Sequence, residues 1–126
     1  MKEPLWVSAE VVLAVQEELL ARFGGLEGLR DEGLLDSVLN RPKQLFHYGK
    51  PSLFELAAEY ALGIVKNHPF LDGNKRAGFM TAYIFLGVND QDLESPEAEA
   101  ALKTLALADG EVGAEEYAAW LKASCK

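Results

Sequence analysis

Cysteine, histidine and long apolar runs are almost missing from this sequence of 126 residues. Its one cysteine, Cys125, cannot form an internal disulfide, and no cysteine or histidine spacing typical of a zinc site occurs. The N-terminal residues lack the apolar stretch of a signal peptide, and no run approaches the roughly 20 apolar residues that span a membrane. The sequence, with 49% hydrophobic residues, therefore predicts one cytoplasmic domain over 1–126, without membrane association, disulfide or structural metal.

Positive charge is scarce and unevenly placed. The 12 basic residues stand against 20 acidic ones, and the formal net charge of −8 argues against direct nucleic-acid binding. Yet no acid occurs from Ser37 to Phe54. Half of the basic residues lie in the central stretch, namely Arg41, Lys43, Lys50, Lys66, Lys75 and Arg76. This clustering is either chance on a solvated face or a local anion site on a protein that otherwise repels anions.

Apolar residues recur at helical spacing in six segments, and strand signals are few. The helices are expected near 8–24, 31–40, 52–68, 72–88 and 95–108, with a last one after Gly110. The fourth segment is apolar nearly all round, so we expect it to be the buried central helix. The prediction is an all-α, single-domain bundle of about six helices around a buried central helix.

Capping residues and prolines predict the helix ends. Ser95 suits an N-cap with Pro96 at the first helical position, and residues 52–55 indicate a capping box. The second helix is expected to close before Pro42, because a residue that precedes proline is pushed out of helical geometry. Residues 42–51 then have no clear period and are predicted to form a loop or an extended flap.

The most informative stretch is residues 68–76, His-Pro-Phe-Leu-Asp-Gly-Asn-Lys-Arg, at the start of the fourth helix. Unpaired backbone N–H groups and the helix dipole make a helix N-terminus an anion site. Gly73 lets the backbone approach a ligand, while Lys75 and Arg76 add positive charge. The stretch therefore predicts a phosphate-binding loop.

Two further residues of this stretch supply what phosphate transfer needs. Asp72 is a carboxylate beside the phosphates and thus a natural Mg²⁺ ligand, and the imidazole of His68 can take a proton from a hydroxyl. Each residue alone has an ordinary explanation, since Asp72 or Asn74 can be an N-cap and His68 a loop histidine. Because no Walker-type Gly-x-x-x-x-Gly-Lys-Ser/Thr occurs, the combined pattern favours nucleotide phosphate chemistry outside the P-loop class.

At these residues the sequence resembles the Fic/Doc family, whose Fic signature is His-Pro-Phe-x-(Asp/Glu)-Gly-Asn-Gly-Arg-x-x-Arg. Lys75 stands in place of a glycine and Phe79 in place of the second arginine, and both departures are those of the Doc (death on curing) branch. Residues 23–28 and 31–40 also look like Doc, as do residues near 95–97 and 110–111, so the resemblance covers most of the chain.

The resemblance implies a toxin of a bacterial toxin–antitoxin pair, which transfers the γ-phosphate of ATP to a hydroxyl of a target protein. The implied target is translation elongation factor Tu, and the implied result is blocked translation. Lys75 would turn the nucleotide so that its γ-phosphate faces the acceptor, and Phe79 cannot replace the second arginine. Fic-type AMP transfer is the alternative, and a catalytically idle binding module is a second one. A metal-dependent hydrolase would need more ligands than His47, His68 and Asp72 supply.

Carried onto this chain, the resemblance implies a role for each residue of the loop. His68 would be the general base, and Asp72 would hold Mg²⁺. Asn74 would orient phosphate, which Arg76 and the Gly73 backbone would bind.

The resemblance also implies how partners bind. Segment 41–51, with Arg41, Lys43, Phe46 and Lys50, matches the family's flap, which aligns the backbone of the target as an added strand. The inhibitory string of many Fic proteins, (Ser/Thr)-x-x-x-Glu-(Gly/Asn), does not occur in the sequence. A separate antitoxin that acts in trans, through a C-terminal segment folded over the active-site face, is therefore expected.

Overall fold

Six α-helices joined by short connections make up residues 2–126, the part of the chain that the computed structural model describes. They are α1 (Ala9–Phe23), α2 (Glu32–Tyr48), α3 (Leu53–Asn67), α4 (Asn74–Val88), α5 (Glu97–Asp109) and α6 (Ala114–Ser124). Extended pairing within residues 2–126 is limited to two isolated bridges, Leu29 with Phe70 and Leu93 with Cys125. The all-α prediction is confirmed, and none of these six helices is long and apolar enough to cross a membrane.

Polar side chains fix the starts of the helices. Ser52 and Glu55 form the predicted capping box at the start of α3, with two reciprocal hydrogen bonds of 3.1 Å. The start of α5 differs from the prediction, because Pro96 rather than Ser95 is the N-cap residue. The Ser95 hydroxyl instead donates to the Glu99 carboxylate at 3.1 Å, a charged acceptor that makes a stronger hydrogen bond than a neutral group does.

The expected loop over 42–51 is wrong, because α2 continues through Pro42 to Tyr48. Proline removes one backbone N–H from the helix, but burial of apolar side chains around it offsets that loss. Pro42 itself is buried, and Leu45 and Phe46 pack against the core. The apolar stripe of α2 is formed by Leu35, Val38, Leu39, Pro42, Leu45 and Phe46. Of the expected flap, residues 49–51 lie outside the helix.

The central helix is α3, and the prediction that the fourth helix holds this place is wrong. Eight of the 15 residues of α3 are buried, and the helix contacts α2, α4, α5 and α6. By contrast, α4 leaves Tyr83 and Val88 exposed, along with the two basic residues of its first turn. The apolar sequence of α4 therefore predicts more burial than the helix has in the structure.

Small residues let α3 lie close to its neighbours. A Cβ added to Gly63 would come within 2.8 Å of Val38 Cγ1 on α2. A Cβ added to Gly78 of α4 would come within 2.8 Å of Val65 Cγ1 and 3.2 Å of the Ala61 carbonyl oxygen. This close packing brings the end of α3 beside the start of α4, where residues 68–73 connect the two helices.

Buried tyrosines make the fold sensitive to alkaline pH. Burial raises the pKa of Tyr117 from 10.0 to about 12, although its hydrogen bond with Thr104 lowers it, and burial also raises the pKa of Tyr60. The unfolded chain therefore loses these protons at lower pH than the folded chain does. The free energy of unfolding is expected to fall as the pH rises from about 10 to about 12, by about 2–3 kcal/mol for Tyr117.

Urea unfolding on both sides of pH ~10 checks this expectation. Tyr117→Phe should flatten the decrease, whereas Tyr48→Phe should leave it unchanged, since Tyr48 is 91% exposed. The same decrease in Tyr117→Phe as in the unchanged chain would contradict the assignment to Tyr117.

Candidate active site

His68 closes α3 in an uncommon backbone conformation. It is the C-cap residue, with φ 49° and ψ 62° in the left-handed region, and its N–H donates to the Ile64 carbonyl at 3.1 Å. A residue with a Cβ adopts this region at a cost of roughly 1–2 kcal/mol, so neighbouring groups must hold it there. The imidazole is exposed and is therefore accessible to an incoming hydroxyl.

The connection between α1 and α2 holds the backbone around His68. Arg30 donates from Nε to the His68 carbonyl at 2.7 Å and from Nη2 to the Asn67 carbonyl at 2.6 Å. Its backbone N–H donates to the Pro69 carbonyl at 2.7 Å. The sequence prediction did not include Arg30, because the acceptors are main-chain groups that no residue pattern identifies.

Asn74 closes the motif loop on itself. Its Nδ2 donates to the Phe70 carbonyl at 3.0 Å, and its Oδ1 accepts from the Phe70 N–H at 3.1 Å. The Phe70 side chain is buried and anchors the loop in the core. The Asn74 amide thus shapes the loop, while a contact with phosphate stays a prediction.

The N-terminus of α4 presents unpaired hydrogen-bond donors. Gly73 is the N-cap residue, with φ 74°, and no side chain caps the helix there. The N–H groups of Asn74, Lys75 and Arg76 have no acceptor among residues 2–126. The side chains of Lys75 and Arg76 are exposed beside them. These donors, the helix dipole and the two cations together favour an anion at this end of α4.

Arg76 stacks on an aromatic ring at the end of α1. Its guanidinium carbon lies 4.4 Å from the centroid of the Phe23 ring. Stacking uses the face of the guanidinium and leaves the N–H groups in its plane available. Arg76 can therefore bind a phosphate while Phe23 limits its motion.

Asp72 is tied to two segments and keeps acceptor capacity. Its Oδ1 accepts from the Gly73 N–H at 2.9 Å, and its Oδ2 accepts from the Leu26 N–H at 3.3 Å. Each carboxylate oxygen has a second lone pair that can bind a cation. No group of three or more His, Cys, Asp or Glu within residues 2–126 is arranged to hold a metal. One carboxylate fits Mg²⁺ that arrives with a nucleotide, because phosphate oxygens and waters then supply its other ligands.

Gln16 of α1 is a buried polar residue that the sequence prediction missed. Its residue surface is 4% exposed, and its Nε2 donates to the Asp72 carbonyl at 2.7 Å. Its Oε1 is buried without a hydrogen-bond partner in residues 2–126. A Cβ at Gly73 would come within 3.3 Å of Gln16 Nε2, so the glycine lets the two segments meet. The available signal was a polar residue one turn after Val12 on the apolar face of α1.

The six basic residues of the central stretch do not converge on one site. Arg41 Nε pairs with a carboxylate of α3 at 3.4 Å, and Lys66 Nζ donates to the Ala108 carbonyl in α5 at 3.0 Å. Lys75 and Arg76 are the two that stand at the N-terminus of α4. The anion-site interpretation therefore applies to these two residues.

The expected flap residues lie on α2 or just after it. Arg41 and Lys43 are exposed helical residues, and Lys50 lies in the following connection. Phe46 packs edge-on against Trp6, with ring centroids 5.7 Å apart. Residues 41–48 are helical, so the expected extended segment is limited to residues 49–51. A role of this segment in aligning a target stays a prediction.

An aromatic residue fills the position of the second Fic arginine. Phe79 is half-buried, and its ring centroid lies 6.3 Å from the rings of Tyr83 and Trp120. It joins α4 to α6 and offers no donor to a phosphate. The anion site therefore has one arginine, Arg76, where the Fic signature has two.

Comparisons with known proteins show similarity to one family over the segments that form this loop. The Fic/DOC family model matches residues 6–86, which include α1 to α3, the motif loop and most of α4. Protein kinase doc of Escherichia phage P1 is 32% identical over 118 residues, 92% of either chain. Toxin Doc of Mycolicibacterium smegmatis is 40% identical over 74 residues, 56% of either chain. Because the family match covers more than half of the residues and includes the whole loop, the chain belongs to the Fic/Doc family.

Proposed function

We propose that this protein is a Doc-type toxin that transfers the γ-phosphate of ATP to a hydroxyl of a target protein, with translation elongation factor Tu as the expected target. One observation carries the proposal: an exposed histidine and a helix N-terminus with uncapped N–H groups and two exposed cations lie in a single segment, residues 68–76. Similarity to a protein named as a kinase over 92% of the chain supports this class of transfer.

In the proposed reaction, the His68 imidazole takes the proton of the target hydroxyl while the hydroxyl oxygen bonds to the γ-phosphorus. The bond between that phosphorus and the β,γ-bridging oxygen breaks, and ADP leaves with the electron pair. The α4 N–H groups and the Arg76 guanidinium would stabilise charge on the phosphate oxygens. Positioning and charge neutralisation would thus supply most of the rate enhancement, as is usual in phosphoryl transfer.

Asp72 is the proposed protein ligand of the Mg²⁺ that accompanies ATP. When bound, Mg²⁺ would neutralise phosphate charge and orient the phosphate chain. Gln16 holds the Asp72 main chain, and the Leu26 N–H holds its carboxylate. The carboxylate is therefore directed before any nucleotide binds, which lowers the ordering cost of binding.

Two residues favour γ-phosphate transfer over AMP transfer. Lys75 puts a side chain and a positive charge where the Fic signature has glycine, and its N–H is one of the unpaired donors of α4. Phe79 cannot act in place of the second arginine, because a phenyl ring has no hydrogen-bond donor. Its ring packs against Trp120 of α6 instead. Both changes alter how the phosphate chain can lie, and they support γ-phosphate transfer as the first expectation.

The proposal includes an antitoxin that acts in trans. Both relatives bear the name Doc, and one of them is named as a toxin. His68 is exposed, and so are Lys75 and Arg76 in the first turn of α4. A partner segment laid across this loop would exclude nucleotide and target together, which is the simplest way to silence the transfer.

A transfer assay with two labels tests the proposed function. Purified protein, Mg²⁺ and bacterial lysate are incubated with ATP labelled at either the γ- or the α-phosphate. We expect a labelled band at the size of elongation factor Tu from the γ-label alone. A band from the α-label would establish AMP transfer instead, and no band from either label would favour the idle binding module.

A further inference from the structure

We propose that Arg30 is a positioning residue that sets the direction of the His68 imidazole. The catalytic part of this inference rests on the proposed function, whereas its geometric part does not depend on any substrate. Arg30 lies between α1 and α2 and reaches the end of α3, 38 positions later in the sequence.

Three successive carbonyls converge on Arg30. The guanidinium binds the carbonyls of Asn67 and His68 at 2.6 and 2.7 Å, and the backbone N–H binds that of Pro69 at 2.7 Å. Hydrogen bonds from a charged donor are about twice as strong as neutral ones. Because the guanidinium is a rigid planar fork, it also fixes the two carbonyls relative to each other.

These two carbonyls belong to the peptide planes on either side of the His68 Cα. The relative orientation of those planes is what φ and ψ of His68 describe, so the guanidinium bonds constrain these angles directly. The values of 49° and 62° lie in the left-handed region, which is unfavourable for a residue with a Cβ. Without Arg30, the backbone would relax toward the extended or right-handed regions. The Cα–Cβ bond would turn with it, and the imidazole would point elsewhere.

Helix capping alone is the ordinary explanation of such an arginine. A cation at a helix C-terminus stabilises the helix, whatever the neighbouring side chain does. Arg30 is exposed and belongs to none of the ion pairs formed within residues 2–126. A loss of stability therefore cannot separate capping from positioning, and the test must read the His68 ring itself.

The experiment compares Arg30→Met and Arg30→Lys with the unchanged full chain. Arg22→Met is the matched control, because Arg22 is also exposed and pairs within its own helix with Glu18. The sequence has two histidines, so the imidazole ¹⁵N–¹H spectrum contains signals of His68 and His47 alone. His47, on α2, serves as the internal reference.

Arg30→Met is expected to move the His68 ring signals and to leave those of His47 in place. Its kcat should fall by about tenfold to a hundredfold, the usual result of misplacing a reacting group. KM for ATP should change little, since the α4 donors are untouched. Arg30→Lys should restore part of both effects, and Arg22→Met should show neither.

Unmoved His68 signals in folded Arg30→Met would overturn the positioning role. Moved signals with an unchanged kcat would overturn its catalytic part. Should Arg30→Met not fold, the same two readouts on Arg30→Lys decide, because lysine keeps the charge but cannot bridge both carbonyls. An unchanged chain that transfers neither label would refute the proposed function, while the spectra would still decide whether Arg30 directs the ring.

Discussion

Replacing His68 by asparagine is expected to slow phosphate transfer by about 10²–10⁴-fold, the usual contribution of a general base. Cells that express this variant should continue to grow, whereas the unchanged protein is expected to arrest growth. Asparagine is a better choice than alanine, because it adopts the left-handed backbone region of His68 more readily. The variant therefore keeps the loop and removes the proton acceptor. Transfer from γ-labelled ATP gives the rate, and thermal unfolding of the same preparation verifies the fold.

The second histidine supplies the control for this experiment. His47 is exposed on α2 and lies outside the motif loop, so His47→Asn should transfer phosphate at the unchanged rate. A folded His68→Asn protein with wild-type activity would mean that another group accepts the proton. Equal losses in both variants would point to a general effect of removing imidazoles and not to a base at position 68.

Local signals predicted the helices well where one residue pattern dominated. The capping box at Ser52 fixed the start of α3, and Gly24 ended α1, as their chemistry requires. The predicted helix end at Pro42 is wrong, because the apolar stripe on both sides of the proline outweighs the local preference against helix before it. Burial of that stripe against α3 is a tertiary effect, and it outweighs one lost hydrogen bond.

Apolar content does not distinguish α3 from α4 as the central helix. Both sequences combine large apolar side chains with small residues, such as Gly63 in α3 and Gly78 in α4. Small residues are what allow several helices to approach one helix closely, as the contact of Gly63 with Val38 illustrates. Which helix is surrounded depends on packing among all of them, and no single segment contains that information.

The sequence predicts the motif loop between two helices because its polar and charged residues are contiguous in sequence. It does not predict which residues hold the loop, since these bind main-chain groups far along the chain. Gln16 binds the carbonyl of Asp72, 56 positions away, and Arg30 binds that of His68, 38 positions away. Any residue offers the same carbonyl, so the sequence of the acceptor gives no hint of the bond.

These contacts divide the site into two parts with different origins. Residues 68–76 contain the proposed reacting and phosphate-binding groups, while α1 and the connection to α2 hydrogen-bond to Asp72 and His68 of this loop. Enzymes gain rate by having such groups in place before the substrate binds. The first 30 residues therefore shape the candidate site together with the motif, although they contain none of its predicted residues.

Replacing Asp72 by asparagine is expected to raise the Mg²⁺ concentration for half-maximal transfer by about tenfold to a hundredfold. Loss of even an indirect partner of a metal ligand commonly has an effect of that size. Asparagine can still accept from the Gly73 N–H through its one oxygen, but it loses the 3.3 Å bond from the Leu26 N–H. The loop should therefore persist while the negative charge of residue 72 is removed.

A titration of transfer rate against Mg²⁺ at fixed ATP measures the shift. Asp36→Asn is the control, because Asp36 is an exposed residue of α2. Rate recovery at high Mg²⁺ would separate weakened metal binding from a misfolded loop, and an unchanged titration curve would remove Asp72 as the ligand.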